Sequence, residues 1–591
     1  MPLSGSQPVR RPRPSLNCLI CRDRKVRCGR EQPECANCKK MGRECAYQTG
    51  LSSQRSTPQG VTQTRNPMYD EPSSWISKHL SKTAAHDETR TRQITGSFFG
   101  LDHILHPLVD SDKQSSNDPL SPHIDFLTIA FVLRSMPARS VCDALVEAFL
   151  TFIYSVYPLI DTAKFQSWYI DFWNWSGQVS QSAIIPKALL NDVTGNCHLF
   201  AILFAGAIVA PTATWMQPSL RQANKGALVK ELKTAYLKTL SASDYLEHPT
   251  MSTIVSELIA DPFMGREVGG LSNGLFLSSI SRLAQSIGLH RESTEPDIDS
   301  AAQQHRRRVW QHIMWLDVQY SIASGIPLGC EVGLVNIPDV ATEMPTQDGD
   351  SQDQYMVSLL LFSRSKIARL EHRFLKLVQN THTIEEEKYQ QLVSQAEDLD
   401  KIIQTGVTQI RVFLTSAQQD WIRDQTFTYS QWTHNNIAMS QYEIQILLET
   451  PFLQVPSDTD PEIERRWAQL AGLCVQYLRI YITLTVDESF QSYNWFLGRC
   501  AGPTLCVFLL LTHLRYYPNS EGAGANEGCV RDSLEYWDRA YESQGRALPT
   551  TQTKLKRLYQ SLSTGVIEKA TSTRKNGYEV DVDYMNDFVN I

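Results

Sequence analysis

Apolar residues recur every three or four positions along most of the chain between about residue 96 and about residue 565. This spacing places them on one face of an α-helix, so the pattern predicts amphipathic helices. Alternating β-branched strands joined by hairpin dipeptides are nearly absent, and Gly and Pro fall mainly between the periodic segments. We therefore predict a large all-α domain. Its helices are expected at residues 141–157, 196–210, 274–289, 302–320, 352–378, 389–414, 428–448, 462–484 and 503–516.

The segments outside this domain lack the helical pattern. Residues 1–16 hold three arginines and four prolines with few apolar side chains, which is typical of a disordered basic tail. Residues 48–95 are rich in Ser, Thr, Gln and charge, and they show no sustained heptad pattern, so we expect a flexible linker without a coiled coil. The predicted domains are a basic tail (1–16), a cysteine-rich head (17–47), the linker (48–95), an all-α body (96–565) and an acidic-aromatic tail (566–591).

No apolar run reaches the roughly 18 residues that a membrane helix requires, so we expect no membrane segment. The nearest candidates, residues 199–210 and 505–511, stop at Pro211 and His513 and are predicted to be buried core helices. Seven scattered cysteines lie mostly among apolar residues and are predicted to be buried free thiols. They are Cys142, Cys197, Cys330, Cys474, Cys500, Cys506 and Cys529.

The head contains six cysteines in a short unit that occurs twice. Each copy reads C-x2-C-x6-C, and a six-residue gap separates the two copies. Zinc prefers four thiolate or imidazole ligands in a tetrahedron, and six thiolates suffice for two zinc ions if two of them bridge. The repeat suggests that the first cysteine of each copy, Cys18 and Cys35, is the bridging one. The full predicted ligand set is Cys18, Cys21, Cys28, Cys35, Cys38 and Cys45.

A disulfide framework and a redox CxxC motif are the alternatives to zinc. We expect no secretory signal, and thiols in nuclear or cytosolic compartments stay reduced. A lone CxxC is weak evidence for a metal, whereas two at mirrored spacing favour zinc. About thirty residues bury too little surface to fold alone, so the head is expected to fold only with its two zinc ions.

Charge is divided unevenly along the chain. Residues 1–50 contain 11 Lys and Arg against 4 Asp and Glu, a charge of +7, while the remainder contains 45 against 59, a charge of −14. A basic head on an acidic body predicts that only the head binds a polyanion. The arginines of residues 1–16 either stay solvated or contribute phosphate contacts or part of a nuclear-import signal.

The cysteine spacing, the basic residues in the first x6 segment and Pro33 in the joining loop make residues 17–47 resemble the fungal binuclear zinc cluster of fungal transcription factors. The resemblance implies double-stranded DNA as the partner and a short helix whose C-terminal end enters the major groove at a CGG triplet. It places Arg24 and Lys25 at the bases, where guanine presents two acceptors, O6 and N7. The other basic residues are then expected to contact phosphates. They are Arg22, Arg27, Arg30, Lys39, Lys40 and Arg43.

Motifs of the body are similar to the middle homology region of the same fungal regulators, over about residues 96–345. The similar motifs are SFFGLD at 97–102, ALVEAFLTFIYSVYPLID at 144–161, AQSIGLHRE at 284–292, RRRVWQHIMWLD at 306–317 and SGIPL at 324–328.

The chain departs from this family pattern around Asp317. Val318 and Ile326 stand where the family often has arginine, so an ion pair from Asp317 to those positions is missing. The expected substitutes are Arg282, Arg291 or Arg308.

Catalytic motifs are lacking along the chain. HExxH does not occur, and no GxSxG, P-loop or GxGxxG is placed between a strand and a helix, so we predict that the protein is not an enzyme. His198, His312 and His513 lie in apolar helical contexts and are expected in the core. A group of tryptophans is expected either in the core or around a small-ligand pocket. These are Trp168, Trp173, Trp175 and Trp215.

These features together predict a nuclear, sequence-specific regulator of RNA polymerase II genes. The alternative is a zinc-dependent adaptor whose head binds a protein, against which stands the density of Arg and Lys between Cys21 and Cys28. Acidic residues interleaved with aromatic ones in residues 578–591 are typical of segments that bind coactivators. Monomeric binding and dimerisation through the body both stay open.

Overall fold

The structure is a computed structural model that describes the larger part of the chain. The described residues are 21, 28, 35–42, 126–179, 190–292, 300–330, 352–380, 385–417, 425–450, 453, 461–543, 545 and 547–564. The predicted basic tail, the linker, the SFFGLD motif and the acidic-aromatic tail lie outside them. The chain divides into two compact units, Met1–Thr62 and Gln63–Ile591.

The first unit contains one described helix, α1 (Ala36–Lys40). In the second unit every regular element of the described residues is helical, and no strand occurs among them, which confirms the predicted all-α body. Its α-helices are α2 (Phe126–Arg134), α3 (Arg139–Phe149), α4 (Thr162–Val179), α5 (Val193–Val209), α6 (Thr212–Trp215), α7 (Lys225–Ala242), α8 (Met251–Ala260), α9 (Leu271–Ser286), α10 (Ser300–Ser324), α11 (Gln352–Asn380), α12 (Glu386–Ala417), α13 (Gln425–Glu449), α14 (Pro461–Val486), α15 (Asn494–Leu497), α16 (Gly502–Tyr516), α17 (Ala523–Ser543) and α18 (Thr550–Ser563).

Each segment with predicted helical periodicity coincides with one of these helices. The first predicted segment, 141–157, covers most of α3 and the π-helical turn that follows it, Leu150–Tyr154. This turn places aromatic side chains in the core. The periodicity did not identify α7 and α8, although both begin at capping residues. Asn224 accepts the N–H of Ala227 at 3.0 Å, and Thr250 forms a reciprocal capping box with Thr253.

Helix α5 is the centre of the N-terminal part of the body. Asp192 caps it by accepting the N–H of Gly195 at 2.9 Å, and apolar residues then follow on all sides. Such a helix must be covered all round, and α3, α7 and α8 pack against it. Gly206 permits the contact with α3, because a Cβ there would overlap the Leu145 carbonyl oxygen.

The C-terminal part is built from long helices packed side by side. Helix α13 packs against α11, α12 and α14, and α14 packs against α16 and α17. Helix α10 contacts α9, α11 and α16, and so joins the two parts of the body through one core. Fully buried tryptophans mark this core at Trp310, Trp432 and Trp537.

A buried ion pair fastens the turn after α8 to the segment before α16. The Arg499 guanidinium lies 2.6 Å from the Asp261 carboxylate, and both side chains are almost fully buried. Arg266 approaches the other oxygen of Asp261 at 2.8 Å, and Arg499 donates to Asn273 Oδ1 at 2.9 Å. Buried charges are tolerated when paired and hydrogen-bonded, as they are here.

The carboxylate of Asp317 has different partners from the arginines that the sequence suggested. It accepts backbone N–H groups from Gly329 at 3.2 Å and Cys330 at 2.8 Å. Burial raises the pKa of Asp317, while these two hydrogen bonds act in the opposite direction. The expected arginine substitute was wrong, because the chain after α10 turns back and presents its own amide groups to this carboxylate.

The expected buried helices and thiols are confirmed. Residues 199–210 fall almost wholly on α5 and residues 505–511 on α16, and six of the seven scattered cysteines are buried, with Cys500 partly so. Within the described residues no single helix has the length and apolarity to span a bilayer. Glu488–Leu497 and Gly502–Tyr516 together have the length and apolarity of a membrane span, but the chain bends by 89° between these two segments.

Candidate metal centre and nucleic-acid interface

Helix α1 positions two of the predicted zinc ligands. Cys35 is its N-cap residue, and the Cys35 Sγ accepts the backbone N–H of Cys38 at 3.4 Å. The helix ends where Gly42 adopts a positive φ of 61°, a conformation that glycine takes without strain. An N–H donated to sulfur at a helix N-terminus favours the thiolate, which is the metal-binding form of cysteine.

Three thiols converge beside this helix. Cys21 Sγ lies 3.7 Å from Cys35 Sγ and 3.9 Å from Cys38 Sγ, and the three sulfur atoms lie within 4.8 Å of one another. Zinc–sulfur bonds of about 2.3 Å in a tetrahedron place the sulfurs about 3.8 Å apart, so the arrangement fits a zinc ion. Asn37 Nδ2 approaches Cys21 Sγ at 3.8 Å and adds a polar contact at the edge of the site.

The other predicted ligands are only partly described. Cys28 is buried, as are the three converging cysteines. Cys18 and Cys45 lie outside the described residues. The described cysteines form no disulfide with one another, which argues against a disulfide framework among them.

Lys39 and Lys40 are the predicted DNA-contacting residues that the structure describes. Both are exposed and occupy the last turn of α1. Lysine near a helix C-terminus is also favoured by the helix dipole, so the position alone does not require DNA. The remaining predicted contacts lie outside the described residues. They are Arg22, Arg24, Lys25, Arg27, Arg30 and Arg43.

Two family models match the chain. Residues 16–54 match the fungal Zn(2)-Cys(6) binuclear cluster domain, and residues 146–434 match the fungal specific transcription factor domain. Transcription factor macR of Penicillium terrestre is 30% identical over 92% of this chain and 78% of its own length. The chain belongs to the fungal Zn(2)-Cys(6) transcription factors. Transcription factor yanR of Aspergillus niger is 25% identical over 90% of this chain and 78% of its own length. Cutinase transcription factor 1 alpha of Fusarium vanettenii is 22% identical over 37% of this chain.

Membership of this family establishes the coarse function and the cofactor. The protein is a DNA-binding transcription regulator, and its head binds two zinc ions. The family consists of transcription factors rather than enzymes, and it implies action in the nucleus. Bound zinc would hold the short head together, because the bonds from cysteine thiolates to the metal would replace the hydrophobic core that so few residues cannot form.

Three of the four tryptophans singled out in the sequence, Trp168, Trp173 and Trp215, are partly buried and pack against the core of the body. Trp168 stacks on Phe172 with ring centroids 5.3 Å apart, and Trp173 meets the same ring edge-on. Trp215 lies on α6, where Lys225 Nζ sits 5.4 Å from the ring centroid. The side chain of Trp175 is not among the described ones.

Two of the three histidines expected in the core, His312 and His513, are confirmed there, and His198 is partly buried. His312 is 3% exposed, the His198 ring pairs with the Ser256 hydroxyl at 3.1 Å, and His513 pairs with Asn526 at 3.3 Å. The pKa of His198 and that of His513 are each lowered to about 4 by burial, so both rings are neutral at physiological pH.

Sequence reasoning missed a group of buried polar residues around Arg364. Arg364 lies on α11 and is 7% exposed, in contact with aromatic rings from elsewhere in the body. The available signal was its position in the apolar run LLLFSRSKIARL at residues 359–370, where a charged residue is out of place on a buried face.

Proposed function

We propose that the protein is a nuclear regulator of RNA polymerase II genes whose head recognises CGG-type triplets. The observation that carries the proposal is the convergence of Cys21, Cys35 and Cys38 at tetrahedral spacing within a strongly basic segment. In this proposal the head spans 17–47, a linker at 48–95 follows, and the body at 96–565 carries regulation. The basic tail and the acidic-aromatic tail flank them.

The proposed zinc ligands are the six cysteines of the head, with Cys18 and Cys35 bridging two ions. Arg24 and Lys25 are the proposed base contacts, because guanidinium and ammonium groups suit the two acceptors of guanine. The phosphate contacts position the head without specifying sequence. They are Arg22, Arg27, Arg30, Lys39, Lys40 and Arg43.

Replacing Lys25 by alanine should weaken binding to a CGG-containing site by about 10-fold to 100-fold, since a good base contact contributes roughly 1–3 kcal/mol of discrimination. Binding to unrelated duplex should fall only by the smaller factor that one phosphate contact supplies. Fluorescence anisotropy with both duplexes at one fixed salt concentration measures the two losses. An equal loss on both duplexes would remove Lys25 from the base contacts.

Lys40→Ala is the matched control for this substitution. Lys40 is exposed on the last turn of α1, and its proposed contact is a phosphate. The variant should lose affinity uniformly across sequences, and the slope of log affinity against log salt should decrease by about 1.

Selection of DNA from a random library by the full chain tests the proposal as a whole. Zinc-loaded protein should enrich CGG triplets, and chelated protein should enrich none. The number and spacing of the triplets distinguish monomeric from dimeric binding. Zinc-loaded protein that enriches nothing would favour the adaptor hypothesis, in which the head binds a protein.

Coactivators are the proposed partners of the acidic-aromatic tail. Its acidic residues keep the interleaved aromatic side chains exposed for a hydrophobic groove. Deleting residues 578–591 should lower reporter activation severalfold while DNA binding in vitro stays unchanged. Unchanged activation by a deletion variant that still binds DNA would assign the activating role elsewhere.

A further inference from the structure

The N-terminal part of the body carries a positively charged face. Helix α7 contains four lysines and one glutamate, a charge of +3, although residues 51–591 together carry −14. Helix α2 packs against α7, and Arg134 is the only charged residue of α2. The acidic body therefore presents one region that attracts negative charge.

The lysines on the solvent side of α7 have no acidic partner. Lys230 and Lys238 lie about two turns apart on the helix and both are exposed, as is Arg134 of α2. Among the described residues none of these three forms an ion pair. Lys225 differs, because its ammonium group donates to two backbone carbonyl oxygens. The charges of Lys230, Lys238 and Arg134 are therefore available to a partner.

Exposed apolar side chains accompany these charges. Phe131 of α2 is 63% exposed and Leu237 of α7 is 44% exposed. Lys238 Nζ lies 4.4 Å from the Phe131 ring centroid, so the cation and the aromatic ring belong to one surface. We call the set of Phe131, Arg134, Lys230, Leu237 and Lys238 the basic face. It combines apolar contact area with unpaired positive charge, which suits a partner that is both acidic and aromatic.

Residues 578–591 have the complementary composition. They contain four acidic residues and no lysine or arginine, and large apolar residues are interleaved with the acidic ones. The acidic residues are Glu579, Asp581, Asp583 and Asp587, and the apolar ones include Tyr584, Met585 and Phe588. Opposite charges steer two surfaces together, and buried aromatic side chains then hold them.

This segment can reach the body to which it is attached. Helix α18 ends at Ser563, and 14 residues separate it from Tyr578. A tether of that length spans up to about 48 Å, whereas a compact chain of the size of the body has a radius of gyration of about 22 Å. Such a tether gives an effective concentration on the order of 1 mM, so an affinity of about 100 µM would keep the face occupied in about nine molecules of ten.

We propose that residues 578–591 dock on the basic face, with their acidic side chains on its three cations and their aromatic side chains against Phe131 and Leu237. Docking buries the same aromatic residues that a coactivator groove would take up, so the body and the coactivator compete for them. This consequence rests on the activating role proposed above for the segment, whereas the docking itself does not.

A fluorescent peptide of residues 578–591 tests the docking directly. Fluorescence anisotropy should show binding to the zinc-loaded chain that lacks residues 578–591, with a dissociation constant on the order of 100 µM that rises with salt concentration. This deletion removes none of the described residues. The full chain should bind the peptide about tenfold more weakly, because its own segment already occupies the face.

Charge reversal on α7 should remove the site. In the chain that lacks residues 578–591, Lys230→Glu combined with Lys238→Glu should weaken peptide binding at least about tenfold. Lys388→Glu combined with Lys401→Glu is the matched control, since both are exposed lysines of α12 and the change in net charge is equal. The control should bind the peptide as well as the parent chain does. Circular dichroism at 222 nm checks that both variants are folded.

A charge swap separates a lost site from a misfolded variant. A peptide with Asp581→Lys and Asp583→Lys should fail to bind the parent chain, and it should recover binding to the chain with Lys230→Glu and Lys238→Glu. A scrambled peptide of the same composition should bind at least about fivefold more weakly than the native one, because the aromatic contacts depend on sequence order.

Three results would overturn the proposal. They are no binding of the 578–591 peptide at about 1 mM, equal binding by the charge-reversed and control variants, and equal binding of the scrambled peptide. A peptide of residues 97–110 that occupies the basic face while the 578–591 peptide does not would assign the face to the chain that precedes α2.

Reporter activation distinguishes the docking from the activating role. A peptide that docks, together with unchanged activation after deletion of residues 578–591, would support the docking and reject the role. Lowered activation after the deletion, together with a peptide that does not dock, would support the role and reject the docking.

Discussion

Replacing Cys35 by serine should abolish specific DNA binding, with a loss of more than about 100-fold in affinity, because the head then lacks the metal that folds it. The Cys35 thiol is fully buried, lies 3.7 Å from that of Cys21 and caps α1. A serine hydroxyl would keep the cap but is a poor zinc ligand. The zinc content of the purified protein, measured by atomic absorption, should fall below two ions per chain.

Cys529→Ser is the matched control for this prediction. Cys529 is a buried free thiol of α17 in the second unit, far along the chain from the head. It should retain two zinc ions and wild-type DNA affinity. A Cys35→Ser protein that keeps both zinc ions and binds DNA normally would show that Cys35 is not a ligand.

Replacing Asp261 by asparagine should lower the free energy of unfolding of the body by about 3–5 kcal/mol, since it leaves the buried Arg499 charge uncompensated. Arg499 is 3% exposed and bonds to Asp261 and Asn273, so water cannot take the place of the lost carboxylate. The apparent thermal unfolding midpoint should drop by roughly 5 °C or more. Circular dichroism at 222 nm reports it, because the body is helical.

Glu462→Gln provides the comparison at an exposed ion pair. Glu462 and Arg465 lie 2.7 Å apart with more than half of each side chain in solvent, so the variant should unfold at nearly the wild-type temperature. The double variant Asp261→Asn with Arg499→Met should be more stable than Asp261→Asn alone, because the orphaned charge has been removed. If Asp261→Asn were no more damaging than Glu462→Gln, the buried pair would have no structural importance.

The zinc head and the helical class of the body were both predictable from the sequence. The cysteine spacing predicts the metal site from local sequence alone. A metal ion requires ligands that lie close together, and each CxxC motif places two cysteines within four residues of the chain. Apolar residues recur at helical spacing throughout the long helices α10 to α14, so the local pattern alone is enough to predict them. Helices such as α7 and α8 were overlooked although Asn224 and Thr250 supply local start signals.

Only the tertiary structure decided which polar residues meet inside the body. Asp261 and Arg499 are separated by more than 200 positions, and no local pattern links them. Asp317 was expected to pair with an arginine, but the chain after α10 folds back and offers the amides of Gly329 and Cys330 instead. Arg364 is conspicuous in an apolar run, yet its contacts with the Tyr157 and Trp315 rings are visible only when the neighbouring segments are known. By itself the sequence determined the metal ligand types, the helices with a sustained apolar period and the family, because these depend on spacing along the chain. The buried charges depend on contacts between distant segments, and the packing of the helices alone determines those contacts.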